Sequence, residues 1–181
     1  MKPPKPRFDV VGQLGSLRRY ARSLTRNDAD AEDLVQDTLL RAYERRSGFR
    51  HGNTLRGWLL SILHNRFIDV KRSSAVETRT LEAAYSLADT AIDAPQEHSV
   101  RLGQVRDAFF ALPEEQRSAL HLVAIEGLSY EEAASTLNIP VGTLMSRISR
   151  ARTALRSRES DRQSGKAGHL KIVGGRDDRN D

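Results

Sequence analysis

The stretch that decides the fold is SYEEAASTLNIPVGTLMSRISRARTAL, from Ser129 to Leu155. Ser129 is followed three residues later by Glu132, the spacing of a capping box. In that motif the hydroxyl and the carboxylate each satisfy a backbone N–H that a helix start leaves open. Ala133, Ala134 and Leu137 then recur at helical spacing and are expected to face inward. Asn138-Ile139-Pro140 turns the chain, and a second helix is expected from about residue 140 to 157. Residues 139–158 carry five arginines and no acid. Two short helices, a tight turn and a basic second helix make the pattern of a helix-turn-helix.

On the second helix Val141, Leu144, Met145, Ile148 and Leu155 are expected to point to the core. Thr143, Ser146, Arg147, Arg150 and Ala154 share what is read as the opposite face. That face suits a major groove: arginine for guanine edges, short hydroxyls for close approach, alanine for a thymine methyl. Arg152, Arg156 and Arg158 lie off this stripe and are assigned to phosphates, which position the helix without specifying sequence. A basic surface helix in a bundle is the alternative. The capping box, the turn and the absence of acids favour DNA.

Upstream, Val105, Phe109 and Leu112 begin the same unit, and Pro113 stands at an expected first helical position ahead of Glu114 and Glu115. Leu120, Val123 and Ala124 line that helix, and Gly127 ends it. Residues 74–100 are rich in Ser, Ala, Thr and acid and read as a linker. Before them lie three more expected helices, over 12–25, 28–46 and 54–72, the second capped by Asn27 or Asp28. Residues 1–9 and 159–181 read as flexible ends, the latter rich in Gly, Arg and Asp. The fold class is therefore all-α: two small helical domains, over 10–73 and 101–158, joined by a flexible linker.

Composition narrows the function classes. The 181 residues contain no cysteine, which removes disulfide frameworks and thiolate metal sites. No apolar run approaches the roughly 20 residues of a membrane helix, and the basic N-terminus lacks the apolar core of a secretory signal. A soluble, cytoplasmic protein with no membrane insertion is expected. The five histidines lack ligand spacing, and neither a phosphate loop nor a nucleophile–base pattern occurs, so no enzyme activity, metal or cofactor is expected. His121 lies on an apolar helix face and is read as packed. The net charge of +5 points to a polyanion partner. The charge is distributed in blocks, with basic stretches at 47–73 and 139–158 suited to two separate backbone contacts.

Two faces of the N-terminal half stand out. On the 28–46 helix Asp33, Gln36, Asp37, Leu40 and Glu44 share one side. DNA would repel it, so it faces solvent or a protein. On the 54–72 helix Ser61, Asn65, Asp69 and Arg72 share a polar face, with Arg56, Arg66 and Lys71 nearby. Amide and hydroxyl groups beside arginines suit melted bases with exposed Watson–Crick edges. Trp58 and Phe49 fit either base stacking or a place in the core, and His51 either a phosphate contact or the loop surface.

DAEDLVQDTLLRAYERRSGF, followed by TLRGWLLSILHNRFIDVKR, resembles region 2 of an extracytoplasmic-function sigma factor. LPEEQRSALHLVAIEGLSYEEAASTLNIPVGTLMSRISRARTALR resembles region 4 of the same family. Together they cover roughly residues 10–157 in the family's two-domain order. GLSYEEAA and VGTLMSRISRAR further resemble the stress-response sigma factors of alphaproteobacteria. The resemblance implies a subunit that directs RNA polymerase core to promoters and contacts the β′ clamp helices and the β flap. It matches Asp33, Gln36, Asp37 and Leu40 to the clamp-docking surface. Phe49, His51, Asn53, Arg56, Trp58, Asn65, Arg66, Asp69 and Arg72 match the surface that reads the −10 element. Thr143, Ser146, Arg147 and Arg150, with Arg152 and Arg156 on phosphates, match the −35 reader. The resemblance also implies an anti-sigma factor as inhibitor. The family's two elements, about 25 base pairs apart, lie about 85 Å apart along the duplex. About 30 extended linker residues reach roughly 100 Å, so one tethered chain can engage both with the benefit of effective concentration. A stand-alone helix-turn-helix regulator and a sigma-like mimic that titrates an anti-sigma factor are the rival readings.

Overall fold

A computed structural model of the chain describes residues 9–49, 54–78 and 97–167. Among these residues are seven α-helices, two 3-10 turns and no strand, in agreement with an all-α fold. His51, Asn53, most of the expected linker and residues 168–181 lie outside the described residues. The helices are α1 (Leu14–Thr25), α2 (Asp28–Glu44), α3 (Leu55–Thr78), α4 (Glu97–Phe110), α5 (Glu114–Ala124), α6 (Tyr130–Leu137) and α7 (Val141–Ala167).

Local chemistry sets most of the ends. The Asn27 side chain accepts from the backbone N–H groups of Ala29 and Asp30 and starts α2. Thr54 starts α3, its hydroxyl accepting from Gly57 N at 3.2 Å. Ser129 and Glu132 form the full capping box on α6. Asn138, at φ +53°, ends α6 in the left-handed region and turns the chain into α7. Pro113 sits one position earlier than expected, as the N-cap rather than the first helical residue of α5.

Three boundaries differ from the sequence reading. α3 runs to Thr78 and α4 begins at Glu97, so both ends of the expected 74–100 linker are helical. α7 continues to Ala167 instead of ending near 157, which makes the first part of the expected flexible tail helical. Serine, arginine and glutamate cost a helix little, so loss of the apolar stripe after Leu155 does not stop it. By spacing Val70 shares the apolar face of Leu55, Leu59, Ile62, Leu63 and Phe67, yet it is 41% exposed because it lies beyond the packed part of α3.

The two halves pack on each other. α1 and α3 of the first half contact α5 and α6 of the second. One apolar cluster runs through both, from Leu17, Tyr20, Leu59 and Leu63 to Leu120, Leu122, Leu144 and Ile148. α5 is the wedge between them. Six consecutive residues, Arg117 to Leu122, are buried, because α1 covers one side and α6 and α7 the other. Val123 and Ala124, expected to line α5, are more exposed than Ala119 and Leu122 for the same reason.

Burying Arg117 requires replacing its water. Its Nε donates to the Ser23 carbonyl of α1 at 2.6 Å, and its Nη1 donates to the Leu112 carbonyl at 2.8 Å. One guanidinium thus closes backbone groups from both halves. Arg117→Ala leaves these carbonyls buried and opens a cavity, and should destabilise the chain by roughly 3 kcal/mol. Urea unfolding measures this. A change below about 0.5 kcal/mol, the range of ordinary surface substitutions, would contradict the assigned role.

Candidate nucleic-acid interface

α7 buries Leu144, Ile148 and Ala151, with Leu155 partly buried, one stripe at i, i+4, i+7 and i+11. Val141 and Met145, expected in the core, are 36% and 52% exposed. The correction turns on Ala151. Leu144 and Ile148 align with it, whereas Val141 and Met145 lie round the helix to one side. The stripe Thr143, Ser146, Arg147, Arg150 and Ala154 therefore flanks the core instead of opposing it. Arg150 is exposed, Thr143 and Ser146 are half-buried, and Arg147 is tied to Glu115 of α5 at 2.9 Å. Arg152 and Arg156 are exposed on the other flank, below Val141 and Met145. The most exposed surface combines Gly142, Met145, Ser149, Arg150 and Thr153, with the half-buried Ser146 beside them. Met145, Ser149 and Thr153 were not among the sequence candidates.

On α2, Asp33, Gln36 and Leu40 are exposed, Leu40 at 65%. Asp37 is partly covered by Arg66 of α3, whose guanidinium lies 2.7 Å from the carboxylate. Tyr43, also 65% exposed, extends the ridge one turn beyond Leu40, with the Arg46 guanidinium 4.2 Å from its ring centre. An exposed leucine and tyrosine among carboxylates form an apolar strip with an acidic border, chemistry that suits a protein partner better than DNA.

On α3, Asn65, Asp69 and Arg72 are exposed and border one cleft of about 330 Å³ with Leu137 and Asn138 of the second half. Asp69 lies 3.8 Å from Arg41 of α2. Arg56 donates to Gln13 Oε1 and to the Glu126 carbonyl. Trp58 is half-buried against the core, with the Phe49 ring 5.3 Å away and tilted, so these two aromatics meet each other. Of the −10 candidates, the structure thus gathers Phe49 with Trp58, and Asn65 with Asp69 and Arg72. Arg56 and Arg66 are engaged elsewhere.

Between the halves lies a polar node that the sequence did not reveal. The Glu126 carboxylate is fully buried. It accepts from Ser16 Oγ and, on two nitrogens at 3.1 Å, from Arg19, both on α1. His121 Nε2 lies 3.2 Å from it and must be the donor, since a carboxylate offers only lone pairs. Burial alone would raise the Glu126 pKa, but bonds from His121, Ser16 and Arg19 outweigh it and bring it to about 2. Beside the node, Tyr20 OH and His64 Nδ1 are 3.0 Å apart. Burial raises the Tyr20 pKa, keeping the phenol protonated, and lowers that of His64 to about 4, keeping the imidazole neutral.

Residues 12–76 match Sigma-70 region 2 and residues 102–155 match Sigma-70, region 4. Over 150 residues, 82% of each chain, the sequence is 40% identical to the ECF RNA polymerase sigma factor EcfG of Rhodopseudomonas palustris. The chain belongs to the ECF sigma factors. It is also 39% identical over 142 residues to ECF sigma factor SigE of Mycolicibacterium smegmatis, spanning 76% of this chain and 55% of that one. Among solved structures it is similar to the sigma factor RpoE of Bartonella quintana in complex with the anti-sigma factor NepR. That likeness has a TM-score of 0.74 and 35% identity, over 84% of this chain and 94% of that one. CnrH in complex with the cytosolic domain of CnrY is similar at a TM-score of 0.58 and 27% identity, over 82% of each. As an ECF sigma factor, the chain acts in transcription with RNA polymerase and promoter DNA. No helix among the described residues is long and apolar enough to cross a membrane.

The half-buried His64 gives this sigma factor a pH signature. An unfolded chain binds a proton at His64 below pH 6.5, whereas the folded one does so only near 4. Stability therefore falls as pH drops through that window. The melting temperature should decline between pH 6.5 and 4.5, and His64→Gln should flatten that part of the profile. An unchanged slope in the variant would contradict the assignment.

Proposed function

We propose that the duties divide along the chain as follows. Residues 10–73 dock on the β′ clamp helices of RNA polymerase core and read the −10 element, residues 101–158 contact the β flap and read the −35 element, and residues 74–100 join them. The observation that carries this division is the pair of uncovered surfaces: the acid-bordered Leu40 ridge of α2 and the basic outer face of α7. One suits a protein and the other a major groove. No helix-turn-helix regulator needs the first.

On α2 the docking groups are Asp33, Gln36 and Leu40, with Asp37 set by Arg66, and Tyr43 continues the ridge. In the −10 surface, Phe49 and Trp58 form an aromatic pair, and His51 and Asn53 belong to the same reader. Asn65, Asp69 and Arg72 line the path of the melted strand, and Arg56 and Arg66 join them once they leave Glu126 and Asp37. On α7, Arg150 and Ser146 read base edges, with Thr143 beside them and Arg147 once it leaves Glu115, while Arg152 and Arg156 hold phosphates. Met145 presents an apolar tip to the groove, where a thymine methyl is its natural contact.

The likeness to a sigma factor solved with NepR supports an anti-sigma factor as the partner that holds this chain inactive. The likeness to EcfG and RpoE supports a place in the alphaproteobacterial stress-response group. The site of action is the cytoplasm, where core polymerase works, and the role is promoter selection with no catalysis of its own.

Run-off transcription by core polymerase tests the division, using a promoter fragment selected from a randomised library by the reconstituted holoenzyme. Leu40→Glu should abolish core binding and leave −35 duplex binding intact. Arg150→Ala should do the reverse, weakening the −35 duplex by about 1–3 kcal/mol with core binding unchanged. If both variants lose both activities alike, or neither loses any, the division is wrong.

A further inference from the structure

The arginines of α7 are not equivalent. Among the described residues Arg150, Arg152 and Arg156 are exposed and enter no ion pair. Arg147 does: its Nη2 lies 2.9 Å from Oε2 of Glu115, in the first turn of α5. The Arg147 side chain is 21% exposed and that of Glu115 68%. The arginine is therefore seated against the helices around it, while the carboxylate stands at the rim. A helix start favours an acid through its dipole, but Glu114 in the same turn already meets that need. What Glu115 adds is its hold on one residue of the candidate reading stripe.

We propose that Glu115 is a positioning residue for promoter reading: its carboxylate competes with DNA for the Arg147 guanidinium and sets how tightly and how selectively α7 holds the −35 element. The proposal rests on the reading above of α7 as the −35 reader. A carboxylate offers arginine the same paired acceptors as the O6/N7 edge of guanine. An N–H engaged by Glu115 is not free for a base, and turning the planar fork square onto a base edge breaks the pair. An exposed ion pair is weak, worth up to about fivefold in an equilibrium. A bidentate arginine–guanine contact is worth roughly five- to 150-fold. The correct base therefore takes Arg147 from Glu115 and loses the strength of that pair from its own gain. A wrong base leaves the pair closed and loses nothing. Glu115 thus lowers affinity and discrimination together, at the one position Arg147 reads. A weaker −35 grip leaves initiation more dependent on the second contact made by the same chain.

Titration of the full chain with labelled duplex, followed by fluorescence anisotropy, tests this. The duplexes carry the −35 element of the promoter selected by reconstituted holoenzyme, and a set in which each base pair is replaced in turn. Glu115→Gln keeps the size of the side chain and removes its charge. It should tighten the selected duplex by about two- to fivefold. Discrimination should grow at one position, the same position at which Arg147→Ala flattens it. Loss of a negative charge near DNA also strengthens binding by general electrostatics, but that contribution does not depend on Arg147. In the Arg147→Ala background the gain from Glu115→Gln should therefore disappear.

An equal gain with and without Arg147 would mean that the carboxylate acts by charge alone, and would overturn the proposal. So would a Glu115→Gln variant that binds the selected duplex more weakly while circular dichroism shows the fold intact, since Glu115 would then support the reading helix instead of competing with DNA. Arg150→Ala separates the proposal from the reading beneath it. If Arg150→Ala weakens the selected duplex and Glu115→Gln changes nothing, the competition alone fails. If Arg150→Ala and Arg147→Ala both bind like the parent chain, α7 is not the −35 reader and the competition falls with it.

Discussion

The arrangement of this sigma factor depends on a buried carboxylate. Glu126 has no exposed side-chain surface, and an isolated buried charge of this kind is prohibitively costly. Its partners must therefore be brought to it by the fold, and they come from both halves: Ser16 and Arg19 from α1, His121 from α5. The same junction buries the Arg117 guanidinium against carbonyls of both halves. An apolar interface between two small helical domains could slide. Two opposite charges, each bonded across the junction, fix its register. That register decides which face of α3 the second half covers.

How much of this was legible beforehand follows from distance along the chain. Caps and turns were readable because they are local: Asn27, the Ser129–Glu132 box and Asn138 act within three or four residues of themselves. The helical spacing of Leu14, Leu17, Tyr20, Ala21 and Leu24 in α1, and of Leu55, Leu59, Ile62 and Leu63 in α3, is legible for the same reason. The inward face of α7 was not, because Val141 and Met145 together with Leu144 and Ile148 form an apolar arc too broad for periodicity to resolve. The small residue Ala151 settles it only once the helix is seen against α5. The polar node was invisible, since Ser16 and Glu126 are 110 positions apart and nothing in either residue's neighbourhood marks a bond.

The candidate surfaces divide in the same way. The α2 ridge was readable as a set of residues on one side of one helix, and the structure adds Tyr43. The basic content of α7 was readable, while its orientation was not, so Met145 and Ser149 move outward and Arg147 turns toward Glu115. The largest change concerns α3. Its polar face was read as open to DNA, but in the folded chain Thr54, Arg56 and Lys71 already have partners from the second half. Composition and spacing cannot show that a surface is occupied, because occupancy is a property of tertiary packing.

The central claim is that the two halves form one cooperative unit through α1, α5 and the Glu126 node. Native-state amide hydrogen exchange on the free chain measures it most directly. The account predicts that the slowest amides of α1, from Leu14 to Thr25, and of α5, from Glu114 to Ala124, exchange with a common opening free energy. It also predicts that Arg19→Ala lowers protection in both helices together. Two distinct opening free energies, with α5 unaffected by the change in α1, would contradict it.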